Sequence, residues 1–259
     1  MNHHPQRLDV ALTITWEAGW HVGSGQGTAR VDRLLRRRAC GPRGERAPFV
    51  PGSQIKGVLR HQCERLVAML GGNVVSPHVV GRELDNALLD EYRPIARSTL
   101  LIDRLFGSRF QGDCLFVEDA VARTESRIAT TRPHSRTSID RVTGTARDRT
   151  LFVTEVAPAG GPELHSCVRA RHPVGALTQD GDGFPFEYSL LLAGLLSLDM
   201  LGGDKSTGLG KCRITITGET GETVRWNDRP DYPVGDALKS FEETEWFGML
   251  QLIRQEGKA

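Results

Sequence analysis

The feature that most constrains the fold is the order of the segments whose apolar residues repeat with a regular period. Residues 8–16 alternate polar and apolar side chains, which predicts a half-buried strand. Residues 53–70 carry apolar side chains at helical spacing after Pro51 and Gly52, which predicts a helix with Ser53 as its N-cap. The next regular segments predict a mainly helical region at about 80–106 and a strand at 113–122. They are followed by a second predicted helix at 186–201 and a closing strand at 211–217.

This order of elements predicts an α+β fold. It suits a modified RRM-like or ferredoxin-like sandwich with large loop insertions, and it does not suit a doubly wound parallel sheet. Residues 1–259 are expected to form a single domain, with a helical insertion at about 73–112. Residues 123–165 are rich in arginine, threonine and glycine and are expected to project as a hairpin, with one strand near 151–156.

The charge is unevenly distributed although the net charge is only +1. Residues 30–46 contain seven arginines and two acidic residues, and residues 123–149 contain seven arginines and three acidic residues. The segment 219–259 carries nine acidic and five basic residues. Two arginine-rich segments favour a polyanion-binding surface over solvated loops that simply collect charge. Arginine makes up 28 of the 33 basic residues, which fits phosphate recognition or a GC-rich genome equally well.

The same sequence excludes several classes of protein. No apolar stretch approaches the ~18 residues of a membrane span, and the N-terminus has no signal-peptide core. The five cysteines are widely spaced without a C-x-x-C pair, so a disulfide framework and a ribbon-type zinc site are not expected. We therefore expect a protein of the reduced cytoplasm.

A glycine loop at 202–210 follows the second predicted helix. It is not a P-loop, because Lys205 stands where that motif needs its first glycine and Cys212 follows Lys211. Glycines let the backbone approach a ligand closely, and the neighbouring side chains supply donors for phosphate oxygens. The alternative is a turn that merely ends the helix. The candidate phosphate-binding residues here are Gly202, Gly203, Lys205, Ser206, Thr207, Gly208, Gly210 and Lys211.

The start of the first predicted helix is a second candidate phosphate site. A helix N-terminus offers unpaired N–H groups, and Lys56 and Arg60 share one helical face with it. We therefore predict phosphate contacts from Ser53, Lys56 and Arg60. The alternative is that Glu64, in the same row, compensates the charge of Arg60.

Three blocks of sequence resemble the RAMP superfamily of CRISPR systems, and within it the repeated backbone subunit of type III effector complexes. The first runs from Pro48 to Arg60 (PFVPGSQIKGVLR), and the second from Ser138 to Ala146 (SIDRVTGTA) with Leu151, Phe152 and Glu155. The third is the glycine loop, and LFGS at 105–108 before the strand also fits. The resemblance covers about residues 8–217.

The resemblance implies a palm that binds guide RNA, stacks with further copies of itself and joins other CRISPR effector subunits. A thumb hairpin, at about 123–165 by position, would displace bases of the guide–target duplex at regular intervals. Complementary target RNA would be cleaved at each displaced position by an aspartate in the loop after the first strand, which matches Asp32, with a divalent metal, expected to be Mg²⁺. The metal ligands are not identified. Further candidates in the basic loop and the thumb are Arg30, Arg33, Arg132, His134, Arg136 and Arg141.

Two alternatives remain open from the sequence. The chain could be a guide-RNA-binding scaffold of the same complex, with Asp32 only neutralising the arginines beside it. It could instead be a RAMP endoribonuclease that processes precursor guide RNA, for which His21 is the best candidate. The thumb block argues against the processing enzyme.

Overall fold

The computed structural model describes residues 6–40, 45–70, 74, 101–107, 112–123, 130–172, 184–218 and 220–239. The strands are β1 (Gln6–Trp16), β2 (Arg37–Ala39), β3 (Arg46–Pro48), β4 (Leu115–Val117), β5 (Arg132–Arg136), β6 (Phe152–Val156), β7 (Leu164–His172), β8 (Cys212–Ile216), β9 (Thr223–Trp226) and β10 (Arg229–Pro233). The helices are α1 (Gly52–Met69), α2 (Leu101–Phe106), α3 (Phe186–Leu196) and α4 (Val234–Leu238), with a 3₁₀ helix at Lys205–Thr207.

One antiparallel sheet organises the described part of the chain, and β1 lies at its centre. One edge of β1 pairs with β7, which in turn pairs with β4. The other edge pairs with β8 over its C-terminal half and with β9 near its N-terminus. In chain order, β1–α1–β4–β7–α3–β8 is the β-α-β-β-α-β arrangement of ferredoxin-like folds. This confirms the predicted α+β class.

The core lies between this sheet and the helices α1 and α3. Alternate residues of β1, from Leu8 to Ile14, are almost fully buried, as the predicted alternation requires. Gly194 of α3 lies so close to α1 that an added Cβ would be 2.5 Å from Cys63 Sγ. The two helices therefore need a glycine at this contact.

The first helix begins differently from the prediction. Its N-cap is Pro51, and no side chain makes a cap hydrogen bond, so the prediction that Ser53 is the N-cap is wrong. Asp119, from the segment after β4, instead accepts a hydrogen bond from the Gly52 amide at 2.9 Å. A Cβ at Gly52 would be 2.0 Å from the Val117 carbonyl oxygen, which explains why a glycine begins the helix.

Other element boundaries also differ. The second predicted helix, placed at 186–201, ends at Leu196, and the strand predicted at 113–122 contains only the three residues of β4. Strands β7, β9 and β10 were not predicted. Most of the predicted helical region at 80–106, and of the insertion at 73–112, lies outside the described residues; α2 is the part that the structure describes. No helix in the described ranges is long and apolar enough to cross a bilayer.

The projecting hairpin is present within the predicted range 123–165. Strands β5 and β6 pair only with each other as a two-stranded sheet, in register from Arg132 opposite Val156 to Arg136 opposite Phe152. Isolated bridges join this hairpin to the loop after β1, with Arg33 beside Thr154 and Trp20 opposite Ala157. The hairpin is therefore attached to the palm where β1 ends.

Candidate RNA-binding interface

Three segments meet beyond the C-terminal end of β1, and His21 lies where they join. His21 is 4% exposed, and its Nδ1 is 2.7 Å from the Glu155 carbonyl oxygen of the hairpin. Its own carbonyl oxygen accepts a hydrogen bond from the Gly203 amide of the glycine loop at 2.8 Å. His21 thus joins the loop after β1, the hairpin and the glycine loop from inside the protein.

Asp32 lies on the outside of the same junction, against strand β6. Its amide donates to the Val153 carbonyl oxygen at 2.9 Å, and its Oδ2 accepts from the Val153 amide at 2.7 Å. The residue is exposed, and Oδ1 has no protein hydrogen-bond partner among the described residues. The carboxylate is therefore fixed to the hairpin through one oxygen, while the other oxygen is open to a ligand.

A second carboxylate, Asp204, connects all three segments. Arg33 Nη1 from the loop lies 3.5 Å from Asp204 Oδ1, and Arg136 Nη1 from the hairpin lies 3.2 Å from Asp204 Oδ2. Arg136 also donates to Thr207 Oγ1 of the glycine loop at 2.9 Å, and the Arg33 guanidinium lies 5.4 Å above the Phe152 ring. Sequence reasoning missed Asp204, for which the only available signal was its position inside the glycine loop.

The glycines of the loop differ in how much space surrounds the position of an added Cβ. Gly202 has φ of 94°, and a Cβ added to it would lie 2.5 Å from the His21 carbonyl oxygen. Gly210 has φ of 84°, and a Cβ added to it would lie 2.1 Å from the Leu201 carbonyl oxygen. Gly208 has φ of 90°, but nothing lies within 4 Å of its Cβ position. Packing within the protein thus explains Gly202 and Gly210, whereas the open backbone that a ligand needs is found at Gly208.

The polar side chains of this loop are partly exposed. Ser206 and Thr207 are exposed and Lys205 is half-buried. Lys211 is exposed, and its Nζ lies 3.1 Å from Glu17 Oε2. The hydrogen bond from Lys211, followed by that from Arg213, lowers the pKa of the Glu17 carboxyl. RNA contacts from these loop residues stay predictions.

The basic residues at the start of α1 have partners inside the protein. Lys56 Nζ contacts the Asp113 carboxylate and donates to the Leu115 carbonyl oxygen at 2.9 Å. Arg60 binds Glu64 Oε1 at 2.9 Å and Asp103 Oδ1 at 3.2 Å, as the alternative of charge compensation requires.

The anion position at the N-terminus of this helix is taken by Asp119, as described above. The helix start is therefore not the vacant anion site that its sequence suggested. Ser53 is exposed there. Contacts from Ser53, Lys56 and Arg60 to RNA phosphates stay predictions.

The hairpin presents both charge and apolar surface to solvent. Arg132 and His134 are exposed on β5, Arg141 is exposed in the tip, and Arg30 is exposed in the facing loop. Arg136 is the exception among the basic candidates, because its side chain is only 15% exposed. The hairpin also exposes large apolar side chains that the sequence analysis named only as part of the family resemblance: Ile139 at 56%, Val142 at 95% and Leu151 at 69%. Such residues suit contact with base faces.

Backbone hydrogen bonds hold the tip of the hairpin in a turn. Asp140 Oδ1 accepts from the Val142 amide at 2.8 Å and the Thr143 amide at 3.1 Å. These bonds, the one from Thr143 first, lower the pKa of the Asp140 carboxyl. The apolar side chains of the tip are thus displayed on an ordered turn.

A cleft of about 720 Å³ lies beside the junction, below strands β2 and β3. Arg36, Arg37, Arg38 and Arg46 line it together with Glu155, which receives hydrogen bonds from Arg37, Thr131 and the Leu35 amide. Burial raises the pKa of Glu155, but those three hydrogen bonds, from Thr131 first, lower it by more. The basic loop is therefore anchored to the hairpin by a carboxylate that stays ionised at neutral pH.

The side chains of the described ranges do not assemble a metal site by themselves. Among them there is no group of three or more histidine, cysteine, aspartate or glutamate residues that could hold a metal ion. The one carboxylate oxygen offered by Asp32 is a single ligand, whereas Mg²⁺ takes six. Because Mg²⁺ usually keeps several waters and is bound by one or two carboxylates plus phosphate oxygens, its use at Asp32 stays a prediction.

The described residues form a ferredoxin-like fold with a hairpin and a glycine loop beside the end of its first strand. The family model for the RAMP superfamily matches residues 13–213, and the chain belongs to that superfamily. RAMP proteins bind RNA and form CRISPR complexes, so this is a CRISPR-associated RNA-binding protein. No curated protein matches the chain significantly.

Proposed function

We propose that the protein is a backbone subunit of a type III CRISPR effector that binds guide RNA and cleaves complementary target RNA at regular intervals through Asp32. The observation that carries the proposal is the placement of Asp32. It is an exposed carboxylate hydrogen bonded to strand β6 of the hairpin, in an arginine-rich loop. A hairpin that displaces target bases would bring the distorted target backbone to this carboxylate.

The cleavage consistent with this geometry is attack by the target's own 2′-hydroxyl. The 2′-oxygen bonds to the adjacent phosphorus and the bond from phosphorus to the 5′-oxygen breaks, which leaves a cyclic phosphate and a 5′-hydroxyl. The proton lost by the 2′-hydroxyl is balanced by one gained by the leaving 5′-oxygen. Asp32 Oδ1 would accept a hydrogen bond from the 2′-hydroxyl and orient it for attack.

Nearby arginines would stabilise the negative charge of the pentacoordinate phosphorus. Arg30 is exposed in the same loop, and Arg33 follows Asp32. The dependence on Mg²⁺ stays a prediction, since the described protein side chains do not hold the ion by themselves. Chelation by EDTA in the cleavage assay tests it directly.

The wider assignment follows from the family. The proposed partners are guide RNA, target RNA, further copies of the chain and other effector subunits, in the cytoplasm. Single palms bind long RNA best when stacked, so the assembled complex is the form to test. RNA would be bound through its backbone, and base pairing to the guide would supply the sequence specificity.

The deciding experiment compares wild type, Asp32→Ala and Asp32→Asn in the assembled complex with guide, Mg²⁺ and an end-labelled complementary RNA. Asparagine keeps an acceptor for the Val153 amide but removes the charge, so it separates catalysis from attachment of the loop. We expect a regularly spaced product ladder from wild type, and its loss in both variants with target binding intact. A ladder that survives Asp32→Asn and vanishes only in Asp32→Ala would make Asp32 a positioning residue.

A non-catalytic scaffold is the second candidate, favoured by the hydrogen bond between Asp32 Oδ2 and the Val153 amide, which gives the carboxylate a structural task. Tight target binding without a ladder from wild type would establish it. The processing endoribonuclease is disfavoured, because His21 is buried and hydrogen bonded inside the junction. Cleavage of repeat RNA by the isolated protein would revive it.

A further inference from the structure

The face of the sheet turned away from α1 and α3 carries an unusual cross-strand row near the N-terminal end of β1. Phe116 on β4 pairs with Arg169 on β7, Arg169 with Asp9 on β1, and Asp9 with Arg225 on β9. Residues paired across neighbouring strands share one face, so these four side chains stand side by side. With Arg7 and Arg171, paired in the next position of the same face, they form what we call the sheet patch.

The sheet patch is accessible and positively charged. Phe116 is 58% exposed, the Arg7 side chain is 52% exposed, and Arg171 and Arg225 are exposed. Arg7 Nη2 lies 3.1 Å from Asp9 Oδ2, and Arg169 Nη2 lies 2.7 Å from Glu118 Oε1, so these two arginines have carboxylate partners. Arg171 and Arg225 have no carboxylate partner among the described residues. Within the described ranges, two arginines of the sheet patch are therefore left without a compensating carboxylate.

The surface is concave as well as basic. A depression of about 630 Å³ is lined by all four arginines, with Asp9 and Thr223 among the other lining residues. Planar guanidinium groups around a shallow depression suit the charge and the bidentate geometry of phosphate groups. An exposed aromatic ring beside them offers a platform for a base, and aromatic rings on open sheets stack bases of single-stranded RNA.

The sheet patch is separate from the junction that holds Asp32. Trp16, at the end of β1, is seven residues further along the strand than Asp9, a distance of about 23 Å at 3.3 Å per residue. The loop after β1, the hairpin and the glycine loop all lie beyond that end. RNA bound at the sheet patch would thus be a different segment from the one at Asp32.

We propose that the sheet patch is a second binding site, for single-stranded RNA, in which Arg171 and Arg225 bind phosphates and Phe116 stacks a base. The site does not depend on catalysis by Asp32. Charge complementarity and the exposed ring favour RNA over an acidic protein segment, because an acidic segment would need the arginines but not the ring.

The test uses the full-length protein and a fluorescein-labelled 15-nucleotide oligouridine, measured by anisotropy at 50–200 mM KCl. The double variant Arg171→Ala/Arg225→Ala is expected to lower affinity about tenfold at the low salt concentration. It should also reduce the slope of log K against log salt by about 1.4, since each phosphate contact on a single strand contributes about 0.7. Arg65→Ala, which removes an exposed arginine from the helix side, is the matched control and should change neither quantity.

The aromatic ring is tested separately. Phe116→Ala is expected to weaken binding about fivefold or more, and Phe116→Trp to retain it. A 4-thiouridine probe should crosslink to the peptide that contains Phe116, which distinguishes the sheet patch from the glycine loop. Thermal melting of each variant checks that the sheet is intact, as all the substituted side chains are exposed.

Unchanged affinity in the variants, with no crosslink at Phe116, would overturn the proposal. So would binding of a synthetic peptide of residues 240–259, or of an oligoglutamate, that is lost in Arg171→Ala/Arg225→Ala while oligouridine does not bind. That result would make the sheet patch a docking surface for an acidic protein segment.

Discussion

Alanine substitutions in the glycine loop should separate glycines that packing requires from the one that a ligand requires. Gly210 and Gly208 have similar backbone dihedrals, with φ of 84° and 90°. A Cβ at Gly210 would lie 2.1 Å from the Leu201 carbonyl oxygen, whereas a Cβ at Gly208 would meet nothing within 4 Å. The two substitutions therefore share the same backbone strain and differ in the steric overlap.

The magnitudes follow from these contacts. A left-handed conformation costs an alanine about 1–2 kcal/mol, which is the full penalty expected for Gly208→Ala. In Gly210→Ala the backbone must also move, which weakens the hydrogen bonds from Gly210 to Gly19 at 2.8 Å and from Leu201 to Gly210 at 2.9 Å. At about 1 kcal/mol each, these bonds bring the total to about 3–4 kcal/mol.

Urea unfolding and thermal melting measure the stability, and guide-RNA binding by the assembled complex measures the function. We expect the melting temperature to fall by roughly 6–15 °C in Gly210→Ala and by roughly 2–8 °C in Gly208→Ala. Gly208→Ala should nevertheless weaken guide binding, because its methyl group occupies the open approach to the loop. Equal destabilisation by both substitutions, or a loss below about 1 kcal/mol in Gly210→Ala, would refute the steric argument.

Two further predictions concern ionisable groups. Glu155→Gln should lower the free energy of unfolding by about 1–2 kcal/mol at pH 7, because the acceptor for Arg37 and Thr131 loses its charge. The folded-state pKa of Glu155 lies below its ordinary value of 4.5. The difference in unfolding free energy between wild type and Glu155→Gln should therefore be full above pH 4.5 and shrink as the pH falls through the folded-state pKa. A difference that stays constant from pH 7 to about pH 3 contradicts the prediction. Native protein should react rapidly with Ellman's reagent at the exposed Cys40 and more slowly at the half-buried Cys167. Burial protects Cys63, Cys114 and Cys212, and it raises the pKa of Cys114 and Cys212 to about 12. More than two reacting thiols before denaturation would show the packing to be wrong.

The sequence predicted the strands and helices whose pattern is strong and missed those whose pattern is weak. Strand β1 alternates large apolar residues with polar ones, and its prediction is confirmed to within two residues. Strand β7 also alternates, but its inward positions include Ser166 and Ala170, and its outward positions carry Arg169 and Arg171. Only its first two residues fell within the insertion predicted to end at about 165, and residues 166–172 were assigned to no element.

Helix ends were harder to predict than helix positions. Helix α3 is buried almost all round, and the apolar residues continue through Leu198 and Leu201 after the helix has ended at Leu196. Nothing in hydrophobicity alone marks that end. The cap of α1 comes from Asp119, 67 residues away from Gly52, so local sequence could not identify it.

The candidate site could be predicted in its residue types but not in its connections. Asp32, Arg33 and the glycine loop were identified from the sequence and its family resemblance. The contact that fixes Asp32 joins it to Val153 across 121 residues, and Asp204 receives Arg33 across 171 residues. Such contacts depend on the folded sheet, and a single sequence contains no signal for them.

The pairing of β1 also determines when the protein can become folded during its synthesis. This strand leaves the ribosome first, yet its partners β7 and β8 begin at Leu164 and Cys212. Ile14, for example, pairs with both Leu164 and Ile214. Until those partners have been synthesised, both edges of the apolar strand β1 are unpaired, and unpaired strand edges favour aggregation. The sheet therefore closes only after β8 has been synthesised, and slower elongation between the codons for β1 and β8 would lengthen this exposure.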